Sequence, residues 1–193
     1  MFTIIPAKPF NQAKTRLASI LSTQQRMVLS RRLLRRTIEL AQHVSEVVVI
    51  SRDSDVRRVA KEAGAWALVE GGDELNTALR QASQWVAGRH SGPILILPAD
   101  LPLLTLADLT ELIELSQPSP SMVIAPCHRT NGTNALLINP PDLIDFQFGQ
   151  DSFARHLRAA QQKGVEAVIY RSPTMAFDLD LPEDFKALQN LPT

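Results

Sequence analysis

"GPILILPADLPLLT" occupies residues 92–105. Four apolar residues, Ile94 to Leu97, read as a buried strand, and Asp100 stands just past its end before the chain turns at Pro102. A carboxylate carried to the end of a buried strand is costly unless something pairs with it. An Asx-type turn into Pro102 is one explanation. A bound cation or ligand is the other, and what sits opposite Asp100 decides between them.

Outward from this stretch, short apolar runs alternate with helical patterns. "FTII" (2–5), "VVVI" (47–50), "WALV" (66–69), "ILIL" (94–97), "MVIA" (122–125), "ALLI" (135–138) and "EAVIY" (166–170) read as strands. Helical patterns cover 23–42, 55–63, 76–86, 105–115 and 152–163, and Thr105 and Asp108 are spaced as a capping pair. Strands apolar on both faces, separated by helices, imply a mostly parallel sheet covered on each side. With no repeat and no linker, the expectation is one three-layer α/β/α domain over residues 1–193. In such sheets ligands bind beyond the C-terminal strand ends. Candidate site residues therefore fall in 6–16, 51–53, 98–102, 126–134 and 178–180.

Composition narrows the function classes. Twenty basic residues balance 20 acidic ones, which argues against a nucleic-acid partner. The distribution is uneven: residues 1–38 contain no acid but include Lys8, Lys14, Arg16 and five further arginines, whereas Asp178, Asp180, Glu183 and Asp184 cluster near the end. This polarity suits an anionic ligand that brings a cation with it. Arg31, Arg32, Arg35 and Arg36 read as a solvated helix face. No apolar run reaches the length of a membrane span, and the N-terminus lacks a signal-peptide layout, so the cytoplasm is the expected compartment. The single cysteine, Cys127, has no activating partner in the sequence, and His43, His90, His128 and His156 lack metal-ligand spacing. Exposed apolar helix surface would support a homodimer.

"FDLDLPEDF" (177–185) supplies two further carboxylates. Asp178 and Asp180, two apart in an extended segment, face the same side roughly 6–7 Å apart. Asp180 also has the spacing of an N-cap for a short last helix. If both join Asp100, the three carboxylates raise one another's pKa, and a hard divalent cation such as Mg²⁺ removes the conflict. Basic residues Lys8, Lys14 and Arg16 in "PAKPFNQAKTRL" (6–17) are placed to hold a polyphosphate. "PCHRTNGTNAL" (126–136) offers hydroxyl and amide donors, and "FGQDSFARHL" (148–157) puts Gly149 and Ser152 at a helix start that suits an anion. Asp151 or Ser152 as a plain N-cap is the alternative.

Taken in order, "PAKPFNQAKTRL", "LPADLPLL", "GTNALL", "FGQDSFARHL" and "FDLDLPEDF" closely resemble the guanylyltransferases that act on 2-phospho-L-lactate or phosphoenolpyruvate in coenzyme F-420 biosynthesis. The likeness runs from Ile5 to Phe185. It implies a glycosyltransferase-A-like (nucleotide-diphospho-sugar transferase) fold and GMP transfer from GTP to a phosphorylated three-carbon acid. It further implies that Asp100, Asp178 and Asp180 carry Mg²⁺, and that Thr133, Gly149 and Ser152 hold the acid. Lys8 would face the reacting phosphates as a catalytic partner of Asp100, with Lys14 and Arg16 on the nucleotide. Many relatives read Asp-Arg-x-Gly-Thr-Gly-Thr-Asn where this chain has Cys127-His128-Arg129-Thr130-Asn131-Gly132-Thr133-Asn134. A different acceptor on the same fold, such as 3-phosphoglycerate, molybdopterin or a sugar phosphate, and a non-catalytic nucleotide-binding protein are the competing readings.

Overall fold

A computed structural model describes residues 1–72, 74–116, 118–129 and 131–190. Its strands are β1 (Phe2–Pro6), β2 (Glu46–Ser51), β3 (Trp66–Val69), β4 (Ile94–Ile96), β5 (Ser121–Pro126), β6 (Thr133–Asn139) and β7 (Ala167–Ile169). The helices are α1 (Thr23–Gln42), α2 (Ser54–Glu62), α3 (Leu75–Ala87), α4 (Leu106–Glu114), α5 (Ser152–Gln162), α6 (Pro173–Ala176) and α7 (Pro182–Gln189). Caps set several of these boundaries. Thr105 and Asp108 form the expected reciprocal capping box of α4, and Ser22 with Gln25 does the same for α1.

All seven strands join one sheet in the order β3-β2-β1-β4-β6-β5-β7. Pairings are parallel except those of β6, which runs antiparallel to both β4 and β5. The reversal has a positional consequence. It brings the first residue of β6, Thr133, to the edge where the parallel strands end, opposite Pro126.

Alternation along the strands builds two cores. Ile5, Val47, Val49, Leu95, Leu97 and Leu137 face α1, α2 and α4, while Ile4, Val48, Ile50, Ile94, Ile96 and Leu136 face α3 and α5. Each such side chain, fully buried, contributes about 1.5–3 kcal/mol. The expected three layers are present. A smaller cluster of Leu17, Leu33 and Leu179 ties the N-terminal turn, α1 and the segment before α7 together. Leu179 is fully buried, so the period of two turns its neighbours Asp178 and Asp180 the other way, toward the sheet edge. Among the described residues, no helix is long and apolar enough to cross a membrane.

Candidate active site

The rim of the sheet is built from three segments that are far apart in the chain. After β1 the backbone makes two 3-10 turns, Phe10–Gln12 and Thr15–Leu17, anchored by the buried Phe10 and Leu17. The Phe10 N–H donates to Asp53, which caps α2, at 3.1 Å. Between the turns Lys14 adopts a left-handed backbone conformation, φ 53°, uncommon for a non-glycine residue. Its ammonium donates to Asp100 Oδ2 at 3.1 Å and Asp180 Oδ1 at 3.0 Å. Burial alone would lower the Lys14 pKa, but the two carboxylates override it and hold the ammonium charged. Arg16 is mostly exposed and stands 3.7 Å from the other Asp180 oxygen.

Asp100 and the 178/180 pair do meet. The Leu179 N–H donates to the Asp100 carbonyl at 3.0 Å, stitching the segment after β4 to the segment before α7. Asp178 carries different partners: His128 Nδ1 at 3.0 Å and Arg129 Nη1 at 3.3 Å. Burial, then repulsion from Asp100 and Asp180, pushes its pKa up despite those neighbours. Asp178 is thus close enough to Asp100 and Asp180 to feel their charge.

The N-cap expectation for Asp180 does not hold. Helix α7 begins at Pro182, and Asp184 reaches back to accept from the Asp180 and Leu181 N–H groups at 2.9 and 2.7 Å. Arg129 Nη2 adds bonds at 2.7 and 2.8 Å to both Asp184 oxygens. Burial would raise the Asp184 pKa, but Arg129 and the two backbone donors hold it below the ordinary value. Because Asp184 does the capping, the Asp180 side chain is left to Lys14.

A second group lies where β6 meets α5. Thr133 Oγ1 is 3.1 Å from His156 Nδ1 and 3.2 Å from Ser152 Oγ, all three buried. The Gln147 N–H donates to His156 Nε2 at 3.0 Å. Burial, with Arg155 nearby, lowers the His156 pKa to about 4. Gly149 just ahead has φ 120°, where a side chain would be strained, and Asp151 at the N-cap makes no side-chain cap bond. Asn76 holds the turn by accepting from the Phe148 N–H and donating to its carbonyl. Asn134 Nδ2 donates to the Met175 and Ala176 carbonyls, and the His128 N–H also reaches Ala176. Those bonds dock the start of β6 two residues from Asp178.

A cavity of about 550 Å³ opens at the rim. Lys8, Lys14, Arg52, Glu70, Asp100 and Asp180 are among its lining residues. Arg16, Asp178, Thr133, Gly149 and Ser152 lie outside that lining. His128, Arg129, Asp184 and His156 were not singled out as functional by sequence. For His128 and Arg129 a signal exists, since both follow the end of β5, where the strand-end rule already directs attention. Thr130 of the same loop lies outside the described residues. Cys127 is buried, its sulfur accepting from the Gly132 N–H at 3.2 Å.

Comparison with known proteins adds an independent line. The family model described as "Guanylyl transferase CofC like" matches residues 1–189. The chain belongs to this family. A phosphoenolpyruvate guanylyltransferase from Rubrobacter xylanophilus is 38% identical over 98% of this chain and 93% of its own length. A 2-phospho-L-lactate guanylyltransferase from Methanocaldococcus vulcanius is 37% identical, covering 95% and 82%. Among solved structures, a Desulfovibrio desulfuricans protein assigned as a nucleotide-diphospho-sugar transferase superposes with a TM-score of 0.80 at 15% identity, over 98% of this chain and 86% of that one. At that identity the likeness speaks for the fold alone, which is the nucleotide-diphospho-sugar transferase fold.

The donors of this guanylyl transferase have the chemistry a hard divalent cation needs: three carboxylates, one of which, Asp178, has its pKa pushed up by burial and by the charges of the other two. Their present arrangement serves another cation. Asp100 and Asp180 share the Lys14 ammonium, and no three His, Cys, Asp or Glu side chains among the described residues are grouped to hold a metal. Lys14, expected on the triphosphate, instead bridges two of the expected metal ligands.

Proposed function

We propose that the enzyme transfers GMP from GTP to the phosphate of a three-carbon acid, phosphoenolpyruvate or 2-phospho-L-lactate, in coenzyme F-420 biosynthesis. The observation that carries this reading is the meeting of Asp100 and Asp180 on Lys14 at the mouth of the rim cavity, with Asp178 alongside. The cavity's volume lies in the range of small-molecule sites; Lys8 and Arg52 supply cations to its lining for a triphosphate, while Glu70, Asp100 and Asp180 in the same lining leave room for a further cation to come with it.

In the proposed reaction an acceptor phosphate oxygen attacks the α-phosphorus of GTP. The bond from that phosphorus to the α–β bridging oxygen breaks, and the electron pair leaves with pyrophosphate. The attacking oxygen is already anionic at neutral pH, so no general base is needed. Rate enhancement then rests on positioning and charge neutralisation. Lys8 and Lys14 offset charge on the reacting phosphates, and Arg16, mostly exposed and only loosely paired with Asp180, follows the departing pyrophosphate. Thr133, Gly149 and Ser152 hold the phospho-acid. Asp100, Asp178 and Asp180 would hold Mg²⁺, which when bound supplies Lewis-acid neutralisation of the phosphoryl oxygens. Residues 1–193 act as one nucleotidyltransferase domain, in the cytoplasm.

The test is incubation with GTP, Mg²⁺ and each acid in turn, with mass detection of product. The expected product is a guanosine diphosphate-linked three-carbon acid with one pyrophosphate released. GTP binding without turnover on any phosphorylated acid would refute the catalytic reading, and turnover only with CTP or a sugar phosphate would move the acceptor.

A further inference from the structure

The buried cluster of Thr133, Ser152 and His156 contains two hydroxyl protons and one imidazole proton, and its bonding pattern fixes where each goes. The Gln147 N–H donates to His156 Nε2, so that nitrogen is the unprotonated one. The neutral ring therefore carries its proton on Nδ1 and donates it to Thr133 Oγ1, 3.1 Å away. One hydroxyl proton is used between Ser152 and Thr133, 3.2 Å apart. The other finds no acceptor in the imidazole. In the opposite tautomer Nδ1 would absorb that proton, and the hydroxyl pair would present only lone pairs outward.

We propose that His156 is a positioning residue that keeps the Thr133/Ser152 pair polarised as a hydrogen-bond donor toward an anionic acceptor. The inference rests on the reading of Thr133 and Ser152 as the phospho-acid site, and it names what makes that site prefer an anion. His156 lies one helical turn beyond Ser152 on α5, is fully buried, and packs edge-on against Phe148 with ring centroids 4.8 Å apart. It does not touch the acid itself.

Two substitutions separate this role from a structural one. An asparagine amide can sit where Nδ1 sits and donate to Thr133, whereas a glutamine amide reaches the Nε2 position and can accept only from Gln147. The expected result is that His156→Gln raises the KM for phosphoenolpyruvate or 2-phospho-L-lactate roughly tenfold, the size of one lost neutral hydrogen bond. The KM for GTP stays unchanged, and His156→Asn recovers most of the acceptor KM. The reverse order, glutamine rescuing and asparagine failing, overturns the proposal in favour of loop support. In the wild type, ring ¹⁵N shifts must report protonated Nδ1 and bare Nε2, with the Nδ1 proton moving when phosphoenolpyruvate is added without GTP. The opposite tautomer overturns the proposal even if both variants fail to fold. Should Thr133→Val and Ser152→Ala leave the acceptor KM at its wild-type value, the acceptor-site reading falls, and this inference with it.

Discussion

On the proposed function, the rim and the hydroxyl cluster each hold an anion beside a sheet edge, and they are built for it in opposite ways. At the rim, full charges are balanced against one another: the Lys14 ammonium between Asp100 and Asp180, with the Arg129 guanidinium on Asp178. In the cluster two hydroxyls and an imidazole are linked by hydrogen bonds with no ion pair among them, and on the tautomer proposed above direction comes from which proton points where. A charged arrangement can be re-paired when a ligand brings its own charges, because one ion pair replaces another. A neutral buried relay has no such alternative and is set before the ligand arrives. Adjustability belongs to the rim and fixed direction to the cluster.

Removing charge at the rim should have the largest effect. Asp100→Asn keeps the shape, yet deletes a carboxylate shared by Lys14 and the proposed cation. Turnover, read as pyrophosphate release, should fall at least roughly a thousandfold, because charge-stabilising groups at phosphoryl-transfer sites contribute on that scale. Thermal unfolding should move little, since Asp100 sits outside both cores. Near-normal turnover in this variant would remove Asp100 from the mechanism. Lys14→Met tests the adjustability itself. Without the ammonium, Asp100 and Asp180 lose their counter-charge, and Mg²⁺ should raise the Tm of the nucleotide-free variant more than that of the wild type. Equal shifts would mean that Lys14 does not compete for that place.

The cluster should reveal itself through pH. The His156 pKa is about 4 in the folded protein against an ordinary 6.5, burial being the main cause. The folded pKa is the lower one, so the unfolded chain takes up the proton first as pH falls. The associated stability is intact above pH 6.5 and is lost progressively down to about pH 4, amounting to about 3 kcal/mol. Urea unfolding of wild type and His156→Asn across that interval should diverge in slope. Parallel curves would show that the imidazole is not buried neutral.

These two regions were unequally legible in the sequence. The short continuous apolar runs locate each strand closely: "VVVI" lies within Glu46–Ser51 and "ALLI" within Thr133–Asn139. Strand direction is not encoded in such a run, so the antiparallel β6, which brings Thr133 to the edge where the parallel strands end, needs the structure. The acidic residues announced themselves because a carboxylate after a buried run lacks a local partner. Lys14 did not reveal its partner, which depends on a left-handed residue and on contacts 86 and 166 positions away. The cap of α7 went to Asp184 rather than Asp180 because Arg129, 55 residues distant, anchors that carboxylate. His156 lacks metal-ligand spacing, and the role proposed for it depends on the Gln147 backbone donor, which no motif displays.

Asp184 offers a smaller effect, confined to how the rim is held. It is almost fully buried and accepts from Arg129 and from two backbone N–H groups. Asp184→Ala leaves those donors unpaired and should lower stability by about 2 kcal/mol, seen as a reduced urea midpoint with an unchanged m-value. The KM for GTP should rise as Asp180 loses its anchor, while the acceptor KM holds.

The smallest expected effect probes the loop joining the two regions. Residues 127–133 run from the His128/Arg129 side of the rim to Thr133, and Cys127 braces the turn. Its sulfur accepts from the Gly132 N–H at 3.2 Å and lies 3.4 Å from Asn131 Oδ1. Serine at this position keeps a donor and an acceptor for the same two partners, so Cys127→Ser should change stability by less than about 1 kcal/mol. Both KM values should stay at wild-type levels. A methyl group at Gly132, by contrast, would meet the Cys127 sulfur at 3.1 Å, so that the sulfur or the turn it braces must give by a few tenths of an ångström. If rim and cluster are independent, Gly132→Ala should raise the acceptor KM alone, and combined with Lys14→Met the effects should add, as they do for sites without shared partners. A clear departure from additivity would show that the loop transmits re-pairing at the rim to the hydroxyl pair, and the division between an adjustable region and a preset one would then fail.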